Sequence, residues 1–185
     1  MTEQTRTPQF DGVLKATALE RTRLRADETR SLEALFAPGS VAVIGASERP
    51  GSVGRAVMTN MMATFTGKLT AVNPKHDTIL GVPCVDDPGA IDGGVDLTVI
   101  AVPATAVIDA VRRSAVAGAR AAVVVSAGFK ETSPAGAILE AELARVAGEQ
   151  RIAVLGPNCL GVMNTDADVR LNASFASALP ACGNI

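Results

Sequence analysis

The residues best suited to chemistry in this chain are three glycines that follow a short apolar segment. Residues 41–44 read Val-Ala-Val-Ile, which is typical of a buried parallel strand, and Gly45, Gly51 and Gly54 follow in a turn that opens a helix. Glycine lets the backbone approach a ligand closely, and free amides at a helix start attract phosphate. The spacing departs from the strict G-x-G-x-x-G dinucleotide pattern, because residues 48–50 lengthen the loop. The pattern therefore predicts a phosphate-binding turn of altered length.

A lysine after the second apolar segment bears on the choice of ligand. A site for NAD usually has Asp or Glu at this point, where it holds the ribose hydroxyls, whereas this chain has Asn73-Pro74-Lys75. The ammonium of Lys75 can meet an extra phosphate on the ribose, as in NADP or at the 3′ position of coenzyme A. The alternative, a solvated surface lysine, stays open.

Other reactive residue types form no recognisable site. The single histidine, His76, has no neighbour in sequence that would orient it as a base or nucleophile, and we expect it in a surface loop. Cys84, Cys159 and Cys182 contain no C-x-x-C pair and are expected to be small buried or loop thiols. We therefore expect neither a metal site nor a catalytic residue.

Composition excludes several classes of protein. The chain has 185 residues, is 48% apolar and carries a net charge of −2, so it can bury a core but offers no basic surface for nucleic acid. It has no Trp or Tyr on which bases could stack. No apolar run approaches the ~20 residues of a membrane span, and the first residues are polar without a signal core. We expect a cytoplasmic protein that binds neither nucleic acid nor membrane.

Apolar strands and amphipathic helices alternate from residue 41 onward. The predicted strands are 41–44, 69–72, 97–102, 121–125 and 152–155, with a short edge piece at 81–85, and the predicted helices are 53–64, 105–117 and 135–147. This order predicts an α/β fold, a Rossmann-like doubly wound parallel sheet with helices on both faces. Ligands of such sheets bind at the carboxyl ends of the strands, where residues 45–54, 73–76, 103–105, 126–131 and 156–161 form the connecting loops.

The domain boundaries follow changes in composition. Residues 1–30 are dense in charge and are expected to form an arm or a solvated helix. Residues 31–175 form the predicted domain, which opens with a short helix whose N-cap is Ser31 and which packs Leu32, Leu35 and Phe36 on the sheet. Residues 176–185 are expected to begin a linker.

Five motifs in order carry a resemblance to a known family. They are Leu-Phe-Ala-Pro-Gly-Ser-Val-Ala-Val-Ile-Gly-Ala-Ser at 35–47, Ala-Val-Asn-Pro-Lys at 71–75, Ile-Ala-Val-Pro-Ala at 100–104, Val-Ser-Ala-Gly-Phe-Lys-Glu at 125–131 and Leu-Gly-Pro-Asn-Cys-Leu-Gly at 155–161. Together they resemble the coenzyme A-binding domain of the nucleotide-diphosphate-forming acyl-CoA synthetases. This family includes ADP-forming acetyl-CoA synthetase and is related to the succinyl-CoA synthetase α subunit, and similar modules occur in bacterial protein lysine acetyltransferases. The resemblance covers residues 32–185.

The resemblance implies a role for individual residues. The phosphates of coenzyme A or acyl-CoA would contact Gly51, Ser52, Val53 and Gly54, and its adenosine phosphate would lie by Lys75. Its nucleotide would be bordered by Pro103 and Ala104, and its pantetheine would run along Ser126, Ala127 and Gly128. Gly45 and Ser47 would also belong to the coenzyme A site. Asn158 would help shape the site where the thiol meets the acyl group, although Asn is also a common turn or cap residue.

The resemblance also implies chemistry outside this chain. Enzymes of the family relay phosphate through a histidine of the next domain, and an ATP-grasp domain binds ATP or ADP with Mg²⁺. We therefore expect a fragment of such a synthetase, or of an acetyltransferase that carries this domain, which is inactive alone and has further synthetase domains or a subunit as partners. Two other functions remain: an NAD(P)-binding Rossmann domain of a reductase or redox-responsive regulator, and a stand-alone coenzyme A-binding protein.

Overall fold

A central sheet of seven strands organises the computed structural model, which describes residues 18–178 and 180–183. Residues 1–17 of the predicted arm, and residues 179, 184 and 185 of the predicted linker, lie outside the described residues. The elements in chain order are α1 (Ala18–Phe36), β1 (Ser40–Ile44), α2 (Val53–Thr64), β2 (Lys68–Val72), β3 (Thr78–Ile79), β4 (Val82–Val85), a 3₁₀ turn (Pro88–Ala90), β5 (Leu97–Ile100), α3 (Ala104–Val116), β6 (Ala121–Val124), α4 (Pro134–Gln150), β7 (Ala153–Leu155), β8 (Gly161–Asn164) and β9 (Leu171–Ser174). None of the helices in the described ranges is long and apolar enough to cross a membrane.

The strand order confirms the predicted doubly wound sheet. The strands lie in the order β3-β4-β2-β1-β5-β6-β7, and all pairs are parallel except β3 with β4. Ile44 pairs with Val72 on one side and with Ile100 on the other, so the carboxyl ends of the three central strands are level. β2 lies on one side of β1 and β5 lies on its other side, so the strand order reverses at β1. Doubly wound sheets bind their ligands at such a switch in strand order.

Alternate side chains of each strand enter two separate cores. Val41 and Val43 of β1 join the core beneath α2, where Met58 and Met61 are fully buried. Ala42 and Ile44 point to the opposite core, which α3 and α4 cover. Helices therefore pack on both faces of the sheet, as a parallel sheet with apolar strands requires.

The structure corrects the expected start of the domain. Helix α1 begins at Ala18 and runs without a break through Ser31, so Ser31 is not an N-cap. The charged stretch is rich in Arg, Glu, Leu and Ala, which favour helix, and an Asp27–Arg30 ion pair of 2.9 Å lies on its surface. Leu35 is buried as predicted, but Leu32 and Phe36 are 55% and 46% exposed. The boundary at residue 31 stays a prediction.

Two hairpins were not predicted from the sequence. The piece at 81–85 is not the edge of the sheet: β4 pairs in parallel with β2, and the two-residue strand β3 covers its other side. Strands β8 and β9 form a separate antiparallel hairpin, in which β9 packs on α2. These strands are too short for a periodic pattern to be visible, and their pairing partners are decided by tertiary contact.

Candidate functional site

A cleft of about 740 Å³ opens at the carboxyl edge of the sheet, where loops after β1, β2, β5, β6 and β7 meet. The predicted site residues that line it are Gly45, Ser47, Ser52, Val53, Gly54, Lys75, Pro103, Ser126, Ala127 and Asn158. The remaining three do not line it. Gly51 faces an adjoining groove, while Ala104 and Gly128 lie next to each other, so that a Cβ atom on Gly128 would be 3.0 Å from the Ala104 Cβ.

The turn after β1 requires glycine at two positions because other backbone lies against it. Gly45 has φ +86°, and a Cβ atom there would lie 2.5 Å from the Ala101 carbonyl oxygen. A Cβ atom on Gly54 would lie 2.1 Å from the carbonyl oxygen of Gly45. The first turn of α2 is therefore packed directly on the end of β1, which leaves its free amides facing the cleft.

The start of α2 is a site of positive partial charge. The hydroxyl of Ser52 accepts a hydrogen bond from the Arg55 amide at 3.3 Å and donates one to the Arg49 carbonyl at 2.8 Å, so Ser52 caps the helix. The amide nitrogens of Val53 and Gly54 donate to no acceptor among the described residues. Unpaired amides and the helix dipole together favour an anion at this point.

Asn73 attaches the loop after β2 to the glycine turn. Its Nδ2 atom donates to the Ala46 carbonyl at 2.9 Å, and its Oδ1 atom accepts from the Lys75 amide at 3.0 Å. Lys75 is exposed, and within the described ranges no carboxylate lies within 4.0 Å of its ammonium. The cation is thus available at the rim of the cleft.

A second cavity of about 600 Å³ adjoins the cleft, and five residues line both: Gly45, Asn73, Lys75, Val102 and Pro103. Its further apolar walls are Ile44, Val72, Pro74, Pro88, Ala106 and Ala110. The size and the apolar walls suit a planar heterocycle such as a purine, with polar groups at the rim.

Asp86, Asp87 and Arg113 also line the second cavity, and none of them is among the predicted site residues. The two aspartates reach the site because β4 lies beside β2, so both strands end at the same edge, whereas Arg113 lies on α3. The Asp87 carboxylate accepts from the Gly89 amide at 2.7 Å and pairs with Arg113 at 2.9 Å. These two contacts, chiefly the amide, hold the pKa of Asp87 below its ordinary value.

The loops after β5, β6 and β7 are joined by short hydrogen bonds. The Ser126 hydroxyl donates to the Val102 carbonyl at 2.5 Å, and the Asn158 amide donates to the Ser126 carbonyl at 2.9 Å. Asn158 has φ +54°, a turn conformation that Asn tolerates well, and its side chain is exposed on the cleft wall. Asn158 is therefore both a turn residue and a residue that lines the cleft.

Neither the three cysteines nor the histidine lines the cleft or the second cavity. Cys159 is half-buried with its sulfur 3.4 Å from the Val124 carbonyl, and burial raises the pKa of its thiol. Burial also raises the pKa of Cys84, and Cys182 is exposed. His76 is exposed beside Lys75 and lines neither cavity.

Sequence reasoning missed one aromatic residue of the cleft. Phe175, directly after β9, contributes to the wall near Val53. No signal in the sequence placed it there, because strand β9 was not predicted.

Comparisons with known proteins agree on one family. Residues 39–165 match the family model of the CoA binding domain. The chain is 46% identical over 154 residues to acetate–CoA ligase [ADP-forming] I of Archaeoglobus fulgidus, covering 83% of this chain and 22% of that protein. It is 37% identical over 144 residues to the α subunit of acetate–CoA ligase [ADP-forming] II of Pyrococcus furiosus, covering 78% and 31%.

A solved structure matches as well. It is the dinucleotide forming acetyl-coenzyme A synthetase 1 of Ca. Korarchaeum cryptofilum in complex with phosphate and ADP, with 37% identity, a TM-score of 0.72 and coverage of 79% of this chain and 31% of that one. The chain therefore spans between about a fifth and a third of the length of these relatives. The NAD(P)-binding alternative receives no support from these matches.

Proposed function

The chain belongs to the family of CoA binding domains, and we propose that its cleft holds coenzyme A or acyl-CoA for an ADP-forming acyl-CoA synthetase of which this chain is one part. The relatives described above are ligases and synthetases, which favours this activity over lysine acetyl transfer for the whole protein. The chain's own task is then to bind and orient coenzyme A.

Each part of coenzyme A has a matching region in the two cavities. The adenine enters the second cavity, where prolines and small side chains leave space for a flat ring. The diphosphate lies at the start of α2, opposite the unpaired amides of Val53 and Gly54. The pantetheine then follows Ser126 and Ala127 toward Asn158.

The observation that carries this proposal is the place of Lys75. Lys75 lines both the cavity that would take the adenine and the cleft that contains the helix start, and among the described residues no carboxylate lies within 4.0 Å of its ammonium. In coenzyme A the ribose 3′-phosphate lies between the adenine and the diphosphate. NAD carries no phosphate there, so it would leave the ammonium without a partner.

The remaining chemistry is assigned to other parts of the protein. We propose that ATP, ADP and Mg²⁺ bind to further domains or to a partner subunit, as the designation of one relative as an α subunit suggests. The Ser126 hydroxyl donates to the Val102 carbonyl, which cannot take up its proton as the base of an activated nucleophile would. A cytoplasmic location stays a prediction from the sequence.

Calorimetric titration tests the ligand. We expect coenzyme A and acetyl-CoA to bind, and NAD and NADP to give little heat, because the helix start can receive phosphate while Asn73, and not an acidic residue, directly follows β2 where ribose hydroxyls would be held. Tight binding of NADH with no response to coenzyme A would overturn the proposal.

A further inference from the structure

Phe175 is an aromatic side chain placed at the wall between two openings. It lines the main cleft together with Ser52 and Val53, and it lines the adjoining groove of about 430 Å³ that continues past α2. Its side chain is 38% exposed and belongs to neither buried core. The chain has only five Phe and no Trp or Tyr, and no other aromatic side chain lines either cavity among the described residues.

The backbone around Phe175 is held in place from two sides. The Nδ2 atom of Asn60, on α2, donates to the carbonyl of Ser174 at 2.9 Å and to that of Ala176 at 2.8 Å. The amide of Phe175 donates to the Leu160 carbonyl at 3.3 Å. One side-chain amide thus binds the residues before and after Phe175, and this fixes the backbone of Phe175 relative to α2.

Phe175 is the largest apolar side chain that lines the cleft, whose other apolar side chains are Ala46, Val53, Ala101, Val102, Pro103, Val125 and Ala127. Its amide donates to the Leu160 carbonyl, two residues beyond Asn158, so Phe175 lies beside the loop that carries Asn158. A ligand that passes from the phosphate position at Ser52 toward Asn158 would therefore find the largest apolar side chain of the cleft at Phe175. Burial of such a contact against an aromatic face stabilises binding in proportion to the apolar area removed from water.

We propose that Phe175 packs on the dimethyl-bearing pantetheine arm of coenzyme A, and that Asn60 is a positioning residue that holds the ring there. This inference rests on the proposed function, since it assigns a further contact within the same cleft. The pantetheine arm is the only part of coenzyme A with branched aliphatic carbon, which is the chemistry that an exposed aromatic wall recognises. The adenine would not touch the ring, because Phe175 does not line the second cavity, and an anionic phosphate gains little from the negative face of an aromatic ring.

Comparing the affinities for two ligands distinguishes this contact from the rest of the site. Coenzyme A carries the pantetheine arm, whereas adenosine 3′,5′-bisphosphate carries only the nucleotide and its phosphates. We expect Phe175→Ala to weaken coenzyme A roughly tenfold while leaving the affinity for adenosine 3′,5′-bisphosphate unchanged. Phe175→Leu keeps an apolar wall and should recover most of the lost affinity. Phe36→Ala is the matched control, because Phe36 is 46% exposed and lies on α1 outside both cavities.

The Asn60→Ala variant tests the positioning role. It should weaken coenzyme A without affecting the bisphosphate, and it should add little to the loss in a variant that already carries Phe175→Ala, because both changes remove the same contact. A purely structural role for Asn60 would disturb α2 and weaken both ligands together.

The outcomes distinguish this inference from the function on which it rests. If the native chain binds neither ligand, the proposed function fails. If the native chain binds coenzyme A but Phe175→Ala binds it equally well, or weakens both ligands alike, the pantetheine contact is wrong while the proposed function stands. Thermal unfolding of each variant checks that the fold is retained.

Discussion

The Oε1 atom of Glu131 lies 2.7 Å from the amide nitrogen of Gly128. The same atom lies 3.1 Å from the Phe129 amide, so one exposed carboxylate closes the loop that follows β6. These amide contacts hold the pKa of Glu131 below its ordinary value. The loop includes Ser126 and Ala127 of the cleft wall, so a side chain outside the cleft maintains its shape.

The stability contributed by Glu131 should depend on pH. Because the pKa of the folded state lies below that of the unfolded chain, the contribution is complete above the unfolded value and is lost as pH falls through the folded value. We expect Glu131→Gln to lower Tm at neutral pH, and its difference from the native chain to shrink between roughly pH 5 and pH 3. Thermal scans at several pH values measure this difference. Glu33→Gln on α1 is the control, and a difference for Glu131→Gln that stays constant with pH would contradict the assignment.

Lys75 should discriminate between coenzyme A and dephospho-coenzyme A. A partly exposed charge-assisted contact contributes on the order of 1–2 kcal/mol, or roughly 5- to 30-fold in affinity. We expect Lys75→Ala to remove most of that preference and to leave dephospho-coenzyme A binding nearly unchanged, and added salt should reduce the preference of the native chain. Calorimetry with two proteins and two ligands forms a cycle that isolates the pair.

The control for this cycle is Lys68→Ala. Lys68 is the first residue of β2, whereas Lys75 follows the end of that strand. The Lys68 ammonium donates to the Asp92 carbonyl at 2.6 Å, and Lys68 lines neither cavity. If Lys75→Ala weakened both ligands equally, or neither, Lys75 would be the solvated surface lysine that the sequence left open.

Gly54→Ala should disrupt the phosphate turn. A Cβ atom would meet the Gly45 carbonyl oxygen at 2.1 Å, and neither backbone segment can yield without moving β1 or α2. We expect a loss of about 1–3 kcal/mol in the free energy of unfolding together with weaker coenzyme A binding. Denaturant titration gives the first quantity. Gly148→Ala in α4 is the matched control, because nothing lies within 4 Å of the added atom and Ala favours helix, so it should be neutral or stabilising.

Catalysis by this chain alone should be absent. Incubated with ATP, acetate and coenzyme A, it should form no acetyl-CoA, because its one histidine, His76, lines neither cavity. Chromatography of the thioester product measures the outcome, with a complete ADP-forming acetate–CoA ligase as the positive control. Turnover that disappears in His76→Ala would contradict both this prediction and the assignment of His76 to a surface loop.

Helix α2 shows how far periodicity alone reaches. Its predicted bounds, residues 53–64, match the structure, because Val57, Met58 and Met61 repeat at the helical interval and are buried. Ser31 shows the opposite case, since a good capping residue became an interior residue of α1. A residue with a high capping preference marks a helix start only where the residues before it are not helical, and here residues 18–30 are already part of α1.

The candidate site likewise contains residues that sequence reasoning identified and residues that it missed. Gly45, Gly54 and Lys75 could be identified from sequence, because each follows a strand whose carboxyl end must face the ligand edge. Asp87 and Phe175 could not. Asp87 enters the site through the parallel pairing of β4 with β2, and Phe175 enters it through the packing of β9 on α2.

The local pattern of residues by itself determined the alternation of strands and helices, the doubly wound sheet and the glycine turn, since these depend on apolar spacing and on backbone freedom within a few residues. The tertiary structure alone decided the partners of the short strands β3, β4, β8 and β9, and hence the aspartates and the aromatic ring that complete the two cavities. Strands of two to four residues hold too little local information to choose a neighbour, so burial against distant elements makes the choice.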